Sequence, residues 1–178
     1  HLFGYSVTFE RWDECIQRPE RFITKRVNTD DYIVVGHSLG TVLTRAALPE
    51  LTHQPIACFF LAPPTQVCKA ARKFAHRRLI RLFMGDMGKV LADKQFMKSL
   101  PVPGIPTKIY AGVASPRGRY SPFGEEPNDG LLTVKETILA SVPLQKVPSL
   151  HTFIMNSKVV TQDIVRIAKS YSPAKPLS

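Results

Sequence analysis

The segment Gly36–Gly40 reads Gly-His-Ser-Leu-Gly and carries the clearest chemical pattern in the sequence. The apolar run 32–35 precedes it and predicts a strand, and the stretch 41–48 that follows predicts a helix. A serine on a sharp turn between a strand and a helix presents its hydroxyl where it can attack a carbonyl carbon. Glycines suit such a turn because a Cβ there would clash with the neighbouring backbone. The alternative is a turn whose serine only caps the helix, but the flanking strand and helix favour Ser38 as a nucleophile.

A serine nucleophile also needs a group that stabilises the negative charge developing on the attacked carbonyl oxygen. Free N–H groups and the helix dipole favour negative charge at the start of a helix. The backbone N–H of Leu39, directly after Ser38, is therefore the predicted oxyanion donor.

The nucleophile further requires a base within hydrogen-bond reach, and the sequence has five histidines. His151 follows the last predicted strand and precedes the closing helix, which places it at the same end of the sheet as Ser38. His37 lies in the turn itself and is expected to direct its side chain away from Ser38, so we interpret it as a supporting residue. The other histidines are less suitable by position: His1, His53 and His76.

The base in turn needs an acid that orients it. Asp129 follows a predicted strand and precedes His151, and the triplet 128–130 (Asn-Asp-Gly) would fix its backbone in a turn. The order Ser, Asp, His is the one used by serine hydrolases built on parallel sheets. Glu125 and Glu126 are the alternatives, and the triplet could also serve turn formation alone.

The elements that must position these residues alternate between strand and helix. Predicted strands lie at Leu2–Val7, Tyr32–Val35, Ile56–Leu61, Thr107–Val113 and Leu144–Val147. Predicted helices lie at Glu10–Thr24, Thr41–Leu48, Lys89–Ser99, Val134–Ala140 and Lys158–Tyr171, with Pro19 as a possible break in the first. This alternation predicts an α/β fold with a mostly parallel sheet and helices on both faces.

Composition limits the possible classes of protein. The 178 residues, 44% of them hydrophobic, suit a single domain over residues 1–178 with no membrane-spanning segment. The three cysteines show no metal-site spacing, so no metal or cofactor is expected, and they favour a reducing, cytoplasmic location. The chain opens at His1 on strand-like residues, which suggests an interior cut of a longer protein.

Residues 66–100 differ in character from the rest of the chain. Apolar residues follow one helical face of their first half, whereas lysine and arginine crowd the other. From Lys69 to Lys98, nine Lys or Arg stand against two Asp, which gives +7 of the chain's net +10. Such charge favours an anionic lipid surface or a phosphorylated substrate, although a solvated basic surface is the simpler alternative. Nucleic-acid binding is not expected, because no recognition motif or aromatic-rich basic strand accompanies the charge.

Three segments together resemble the α/β-hydrolase superfamily, in particular small bacterial lipase- and esterase-like members: Gly36–Gly40, Asn128–Val134 and Ser149–Thr152. The resemblance implies an α/β-hydrolase sheet, with Ser38 as nucleophile, His151 as general base and Asp129 as the orienting acid. It also makes residues 66–100 a helical cap inserted into the domain.

The sequence departs from the superfamily pattern at its start. In the superfamily that the sequence resembles, the second oxyanion donor lies in a loop that follows an early strand of the sheet. Leu2–Val7 corresponds to the next strand of that sheet, so the loop with the donor would precede Leu2. A further strand would then be absent between Leu2–Val7 and Tyr32–Val35, so either an upstream segment is missing or the sheet edge is rewired. Tyr5 is the substitute candidate for the second oxyanion donor.

These patterns predict a serine hydrolase that cleaves carboxylic esters through an acyl-enzyme on Ser38. Its expected substrate is a small acyl ester or a lipid. Two alternatives remain at this point, an acyl-thioesterase and an inactive hydrolase-like scaffold that binds an anionic lipid or a partner.

Overall fold

The computed structural model describes residues 1–4, 12–27, 31–67, 91–119 and 121–171. Its four strands form one sheet in chain order: β1 (Ile33–His37), β2 (Ala57–Leu61), β3 (Thr107–Gly112) and β4 (Leu144–Val147). Every neighbouring pair is parallel, which confirms the predicted α/β class. The carboxyl ends of all four strands therefore meet at one edge of the sheet, where ligands of such sheets bind.

Among the described residues, helices flank the sheet at α1 (Trp12–Val27), α2 (Leu39–Ala47), α3 (Lys94–Ser99), α4 (Val134–Thr137) and α5 (Lys158–Tyr171). Short 3₁₀ turns occupy Leu48–Glu50 and Ile154–Asn156. On one face, Phe59 and Tyr110 pack against Val160 and Ile164 of α5. On the other face, Phe60 and Ile109 pack against Leu48, Leu51 and Leu139. Every residue of β2 is buried because both of its faces are covered, as its continuous apolar run predicts.

Two helices differ from their predicted form. α1 continues through Pro19 rather than dividing there, because apolar side chains on both sides of the proline are packed. Trp12, Cys15 and Ile16 pack with α2, and Ile23 packs beneath the sheet. The helix predicted at Lys89–Ser99 is interrupted at Asp93, whose carboxylate accepts the N–H groups of residues 95 and 96 at 2.8 and 3.0 Å and so caps α3.

The sheet has an open side at β1. Among the described residues no strand pairs with β1 on the side away from β2, and Val35 is 50% exposed. Residues 2–4 of the strand predicted at Leu2–Val7 are not in a strand, and the rest of that segment lies outside the described residues.

The structure describes only the two ends of the predicted cap at residues 66–100, since residues 68–90 lie outside the described part. The basic helix predicted within it lies there too. The later end packs inward, with Leu91, Met97 and Leu100 against Val42 and Leu43 of α2. Arg45 of α2 strengthens this contact, since its guanidinium donates to the Leu100 and Pro101 carbonyls at 2.6 and 3.0 Å.

Within the described ranges, no helix has the length and apolar character needed to cross a membrane. The same residues include no group of three or more histidine, cysteine or acidic side chains placed to hold a metal ion.

Asp163 of α5 joins the last helix to the sheet. Its carboxylate accepts from the Lys108 ammonium at 2.5 Å, from the Tyr110 hydroxyl at 2.8 Å and from Arg166. Burial alone would raise the pKa of Asp163, but these three hydrogen bonds outweigh it and lower the pKa to about 2. Since the ordinary aspartate value is about 3.9, the stabilisation is complete above about pH 4 and is lost as the pH falls towards 2.

We therefore expect Asp163→Asn to lower the free energy of unfolding at pH 7 by about 1–3 kcal/mol. The difference from the parent should shrink as the pH falls below 4. Urea unfolding at pH 7, 4 and 3 measures it, with the exposed Asp31→Asn as the matched control. Equal stabilities at pH 7 would contradict the stabilising role of Asp163.

Candidate active site

Ser38 occupies a strained turn between β1 and α2, with φ 50° and ψ −122°. Its backbone N–H donates to the Leu61 carbonyl of β2 at 2.9 Å. Its carbonyl accepts both the N–H and the hydroxyl of Thr41, at 3.0 and 2.7 Å. Gly36 permits the turn, because a Cβ there would lie 3.2 Å from the backbone of Thr41. The hydrogen bonds to Leu61 and from Thr41 therefore hold Ser38 in this strained backbone conformation.

His151 lies in the loop that follows β4 and faces Ser38. Its Nε2 is 2.9 Å from the Ser38 hydroxyl oxygen, and its Nδ1 is 2.8 Å from Oδ2 of Asp129. The backbone N–H of His151 also donates to the Asp129 carbonyl at 2.9 Å. Two separate bonds therefore tie the histidine loop to the aspartate turn. We call these three hydrogen-bonded side chains the Ser-His-Asp chain.

Asp129 is 2% exposed and its carboxylate is fully engaged. While Oδ2 faces His151, Oδ1 accepts the N–H groups of Leu131 and Leu132 at 2.9 and 2.7 Å. The buried Asn128 closes the same turn by accepting the N–H of Gly130, whose φ of +95° suits glycine. The Asn-Asp-Gly triplet therefore has both of the predicted roles. It forms the turn, and the turn orients the Asp129 carboxylate towards His151.

The two alternative acids stand elsewhere. Glu125 is exposed, and its carboxylate lies 3.6 Å from the Cβ position of Gly118. Glu126 lies 3.8 Å from the Lys135 ammonium. The structure therefore brings Asp129 to the histidine and gives neither glutamate a contact with it.

His37 contacts the loop that carries His151. Its Nε2 lies 3.0 Å from the His151 carbonyl oxygen, and the two rings are 5.1 Å apart. Burial lowers the pKa of His37 and outweighs the hydrogen bond to the His151 carbonyl, which would raise it, so the neutral ring is favoured. Because a carbonyl only accepts, the proton of that neutral ring sits on Nε2. His37 thus contacts the backbone of His151 rather than the Ser38 hydroxyl.

Leu39 is the first residue of α2, so its backbone N–H has no acceptor within the helix. It follows the Ser38 turn directly and is available to an anion at this position. Tyr5, the candidate for a second donor, lies outside the described residues.

The site also requires a glycine at position 112, at the end of β3, and the sequence patterns did not predict this. A Cβ on Gly112 would lie 2.5 Å from the Ser149 carbonyl oxygen and 2.8 Å from Cβ of Asp129. The loops that carry Asp129 and His151 can approach each other only because this position has no side chain. A glycine at a strand end is the one signal that could have indicated such a close approach.

We expect Gly112→Ala to displace Asp129 or the Ser149 backbone and to lower any turnover that depends on the Ser-His-Asp chain about 100-fold. Overpacking should also lower the free energy of unfolding by about 1–3 kcal/mol. Gly104→Ala is the matched control, since nothing lies within 4 Å of its Cβ position. Parental turnover in folded Gly112→Ala would contradict the importance of this approach.

Known proteins resemble this chain in structure rather than in sequence. No protein-family model and no curated protein matches the sequence. The lipase BlEst2 of Bacillus licheniformis superposes with a TM-score of 0.59 and 18% identity, over 85% of this chain and 69% of that chain. A thermophilic esterase gives 0.55 and 15%, over 96% and 76%. Human thioesterase 2 gives 0.52 and 12%, over 91% and 84%.

These structures and the parallel sheet define the fold. The chain has the α/β-hydrolase fold. At such low identities the likeness extends to the fold alone.

Proposed function

We propose that this chain is a serine hydrolase that cleaves carboxylic esters through an acyl-enzyme on Ser38. The observation that carries the proposal is the Ser-His-Asp chain, whose two hydrogen bonds measure 2.9 and 2.8 Å. Activation of a serine requires a base at that distance and an acid that holds the base in one tautomer.

In the proposed reaction, His151 Nε2 accepts the Ser38 proton as the hydroxyl oxygen attacks the ester carbonyl. The Leu39 N–H stabilises the resulting oxyanion. Asp129 stabilises the imidazolium, which then protonates the departing alkoxide. Water repeats the sequence on the acyl-enzyme and releases the acid and the free serine.

A thioester is the second candidate substrate. Two thioesterases, human thioesterase 2 and RedJ from Streptomyces coelicolor, share the fold at TM-scores of 0.52 and 0.51. Ser38, His151 and Asp129 would also cleave the C–S bond of a thioester. The thiol is a good leaving group, and the proton that His151 donates is sufficient for its departure. An inactive scaffold that binds an anionic lipid or a partner is the competing, non-enzymatic proposal.

Hydrolysis of short and long p-nitrophenyl esters by the parent and by Ser38→Ala tests the proposal. Turnover that disappears with Ser38 supports an enzyme, and the preferred chain length begins to define its substrate. Turnover that survives the substitution would contradict the assignment of the nucleophile.

A further inference from the structure

A cavity of about 380 Å³ lies beside the turn that holds Asp129. Two arginines, Arg117 and Arg119, line it together with the hydroxyl-bearing Ser115 and Ser121. Gly130, the residue directly after Asp129, forms part of the same wall. The cavity therefore belongs to the edge of the sheet that carries the Ser-His-Asp chain.

The loop that presents these arginines is held by its own hydrogen bonds. Gly118 N–H donates to the Gly124 carbonyl at 3.0 Å, and Gly124 N–H donates to the Ser121 carbonyl at 3.1 Å. The N–H of Ser115 donates to the Asn128 carbonyl at 3.1 Å, which fixes the loop to the Asp129 turn. Phe123 anchors it with a side chain that is 7% exposed. A ligand would therefore meet a loop that is already ordered, which lowers the entropic cost of binding.

The lining of the cavity offers hydrogen-bond donors and positive charge. Arg117 and Arg119 are exposed, and within the described part of the chain neither forms an ion pair. None of the described residues that line the cavity is acidic. The exposed Glu125 stands beside it, with its carboxylate 3.6 Å from the Cβ position of Gly118, the residue between the two arginines. Ser121 Oγ accepts the N–H of Phe123 at 3.2 Å, which leaves its O–H free to donate outward. Guanidinium and hydroxyl donors match the geometry of phosphate oxygens.

We propose that Arg117 and Arg119 form a phosphate subsite for the leaving group of the substrate, an inference that rests on the proposed hydrolase function. The ligand class is an acyl thioester whose thiol carries a phosphate at the far end of a pantetheine arm. The arm lets the phosphate bind at the rim while the thioester reaches Ser38. Ser38 Oγ displaces the thiol, which leaves with the Ser38 proton by way of His151 as the C–S bond breaks. Water then hydrolyses the acyl-enzyme, giving its hydroxyl to the released acid and a proton back to Ser38.

The two arginines should matter only when the substrate carries phosphate. For Arg117→Ala/Arg119→Ala, we expect kcat/KM for butyryl-coenzyme A to fall at least about tenfold, whereas kcat/KM for S-butyryl-N-acetylcysteamine stays unchanged. Arg117→Lys/Arg119→Lys should retain part of the preference, because it keeps the charge but loses the paired donors. Lys25→Ala/Lys169→Ala is the matched control, since it removes two positive charges from exposed helix ends.

Binding measurements separate this proposal from the proposed function, because they need no turnover. Calorimetry with coenzyme A itself should show binding to the parent and to Ser38→Ala, and about tenfold weaker binding to the double alanine variant. Co-sedimentation with vesicles of phosphatidylglycerol or phosphatidylcholine tests a lipid headgroup as the source of the phosphate. Loss of phosphatidylglycerol binding with unchanged coenzyme A binding would overturn the thioester leaving group as the ligand and would assign the site to a lipid headgroup. Unchanged coenzyme A and vesicle binding in the double alanine variant would overturn the subsite.

Discussion

Replacing Ser38 by alanine should lower kcat for ester hydrolysis by about 10,000-fold or more and leave KM nearly unchanged. The hydroxyl of Ser38 faces His151, and in the proposed mechanism it supplies the attacking oxygen. Alanine removes that oxygen without widening the turn or altering the backbone bonds to Leu61 and Thr41. The residual rate would come from the oxyanion donor and from substrate positioning alone.

The control for this substitution is Ser170→Ala, at an exposed position near the end of α5. It should retain the parental kcat. Circular dichroism should show that both variants keep the parental fold, because alanine at position 38 bears the same backbone strain as serine and position 170 is exposed. A folded Ser38→Ala variant with parental turnover would contradict the assignment of the nucleophile.

Asp129→Asn should produce the second large loss, about 10,000-fold in kcat. The N–H groups of Leu131 and Leu132 require an acceptor at Oδ1, so the amide oxygen will occupy that place and the NH₂ group will face His151. A donor there forces the histidine to accept at Nδ1 and to carry its proton on Nε2. In that tautomer, Nε2 cannot take the proton of Ser38.

Because the amide keeps both backbone bonds, the stability of Asp129→Asn should change far less than its activity. Thermal unfolding and p-nitrophenyl ester kinetics on the same preparation separate the two effects. Asp31→Asn, at an exposed aspartate before β1, should leave both unchanged. A loss of less than tenfold in Asp129→Asn would indicate that His151 does not depend on the acid for its tautomer.

Much of the fold could be predicted from local patterns. The continuous apolar run at Ile56–Leu61 indicated a strand buried on both faces, and β2 is such a strand. The last strand and the last helix have the predicted bounds, Leu144–Val147 and Lys158–Tyr171, since proline or loop residues limit each of them. Because the strands are parallel, the predicted order of Ser38, Asp129 and His151 brings all three to one edge.

Other features depend on contacts between distant segments, which no local pattern contains. The continuity of α1 through Pro19 reflects packing against α2 and the sheet. The need for Gly112 reflects the approach of two loops that lie 17 to 37 residues further along the chain. The buried Arg45 and the His37 bond to the His151 carbonyl are likewise tertiary contacts. Sequence patterns therefore gave candidate residues, whereas the residues that hold them in place emerged from the fold.

The site combines local strain with rigid support. Ser38 has a positive φ, which costs free energy for any residue but glycine. Bonds from Thr41 and to Leu61 hold that conformation, while His37 and Asp129 fix the histidine loop. The proposed chemistry requires this arrangement, because a hydroxyl must stay within 2.9 Å of a neutral imidazole nitrogen before substrate arrives.

Covalent labelling with a fluorophosphonate probe tests the central claim most directly. The probe phosphonylates a serine only when a base activates its hydroxyl, so it does not depend on knowledge of the substrate. Mass spectrometry of digested protein should locate one adduct on Ser38, absent from Ser38→Ala and formed far more slowly in His151→Gln. A folded parent chain that stays unlabelled, or that is labelled at another serine, would contradict the assignment of Ser38 as an activated nucleophile.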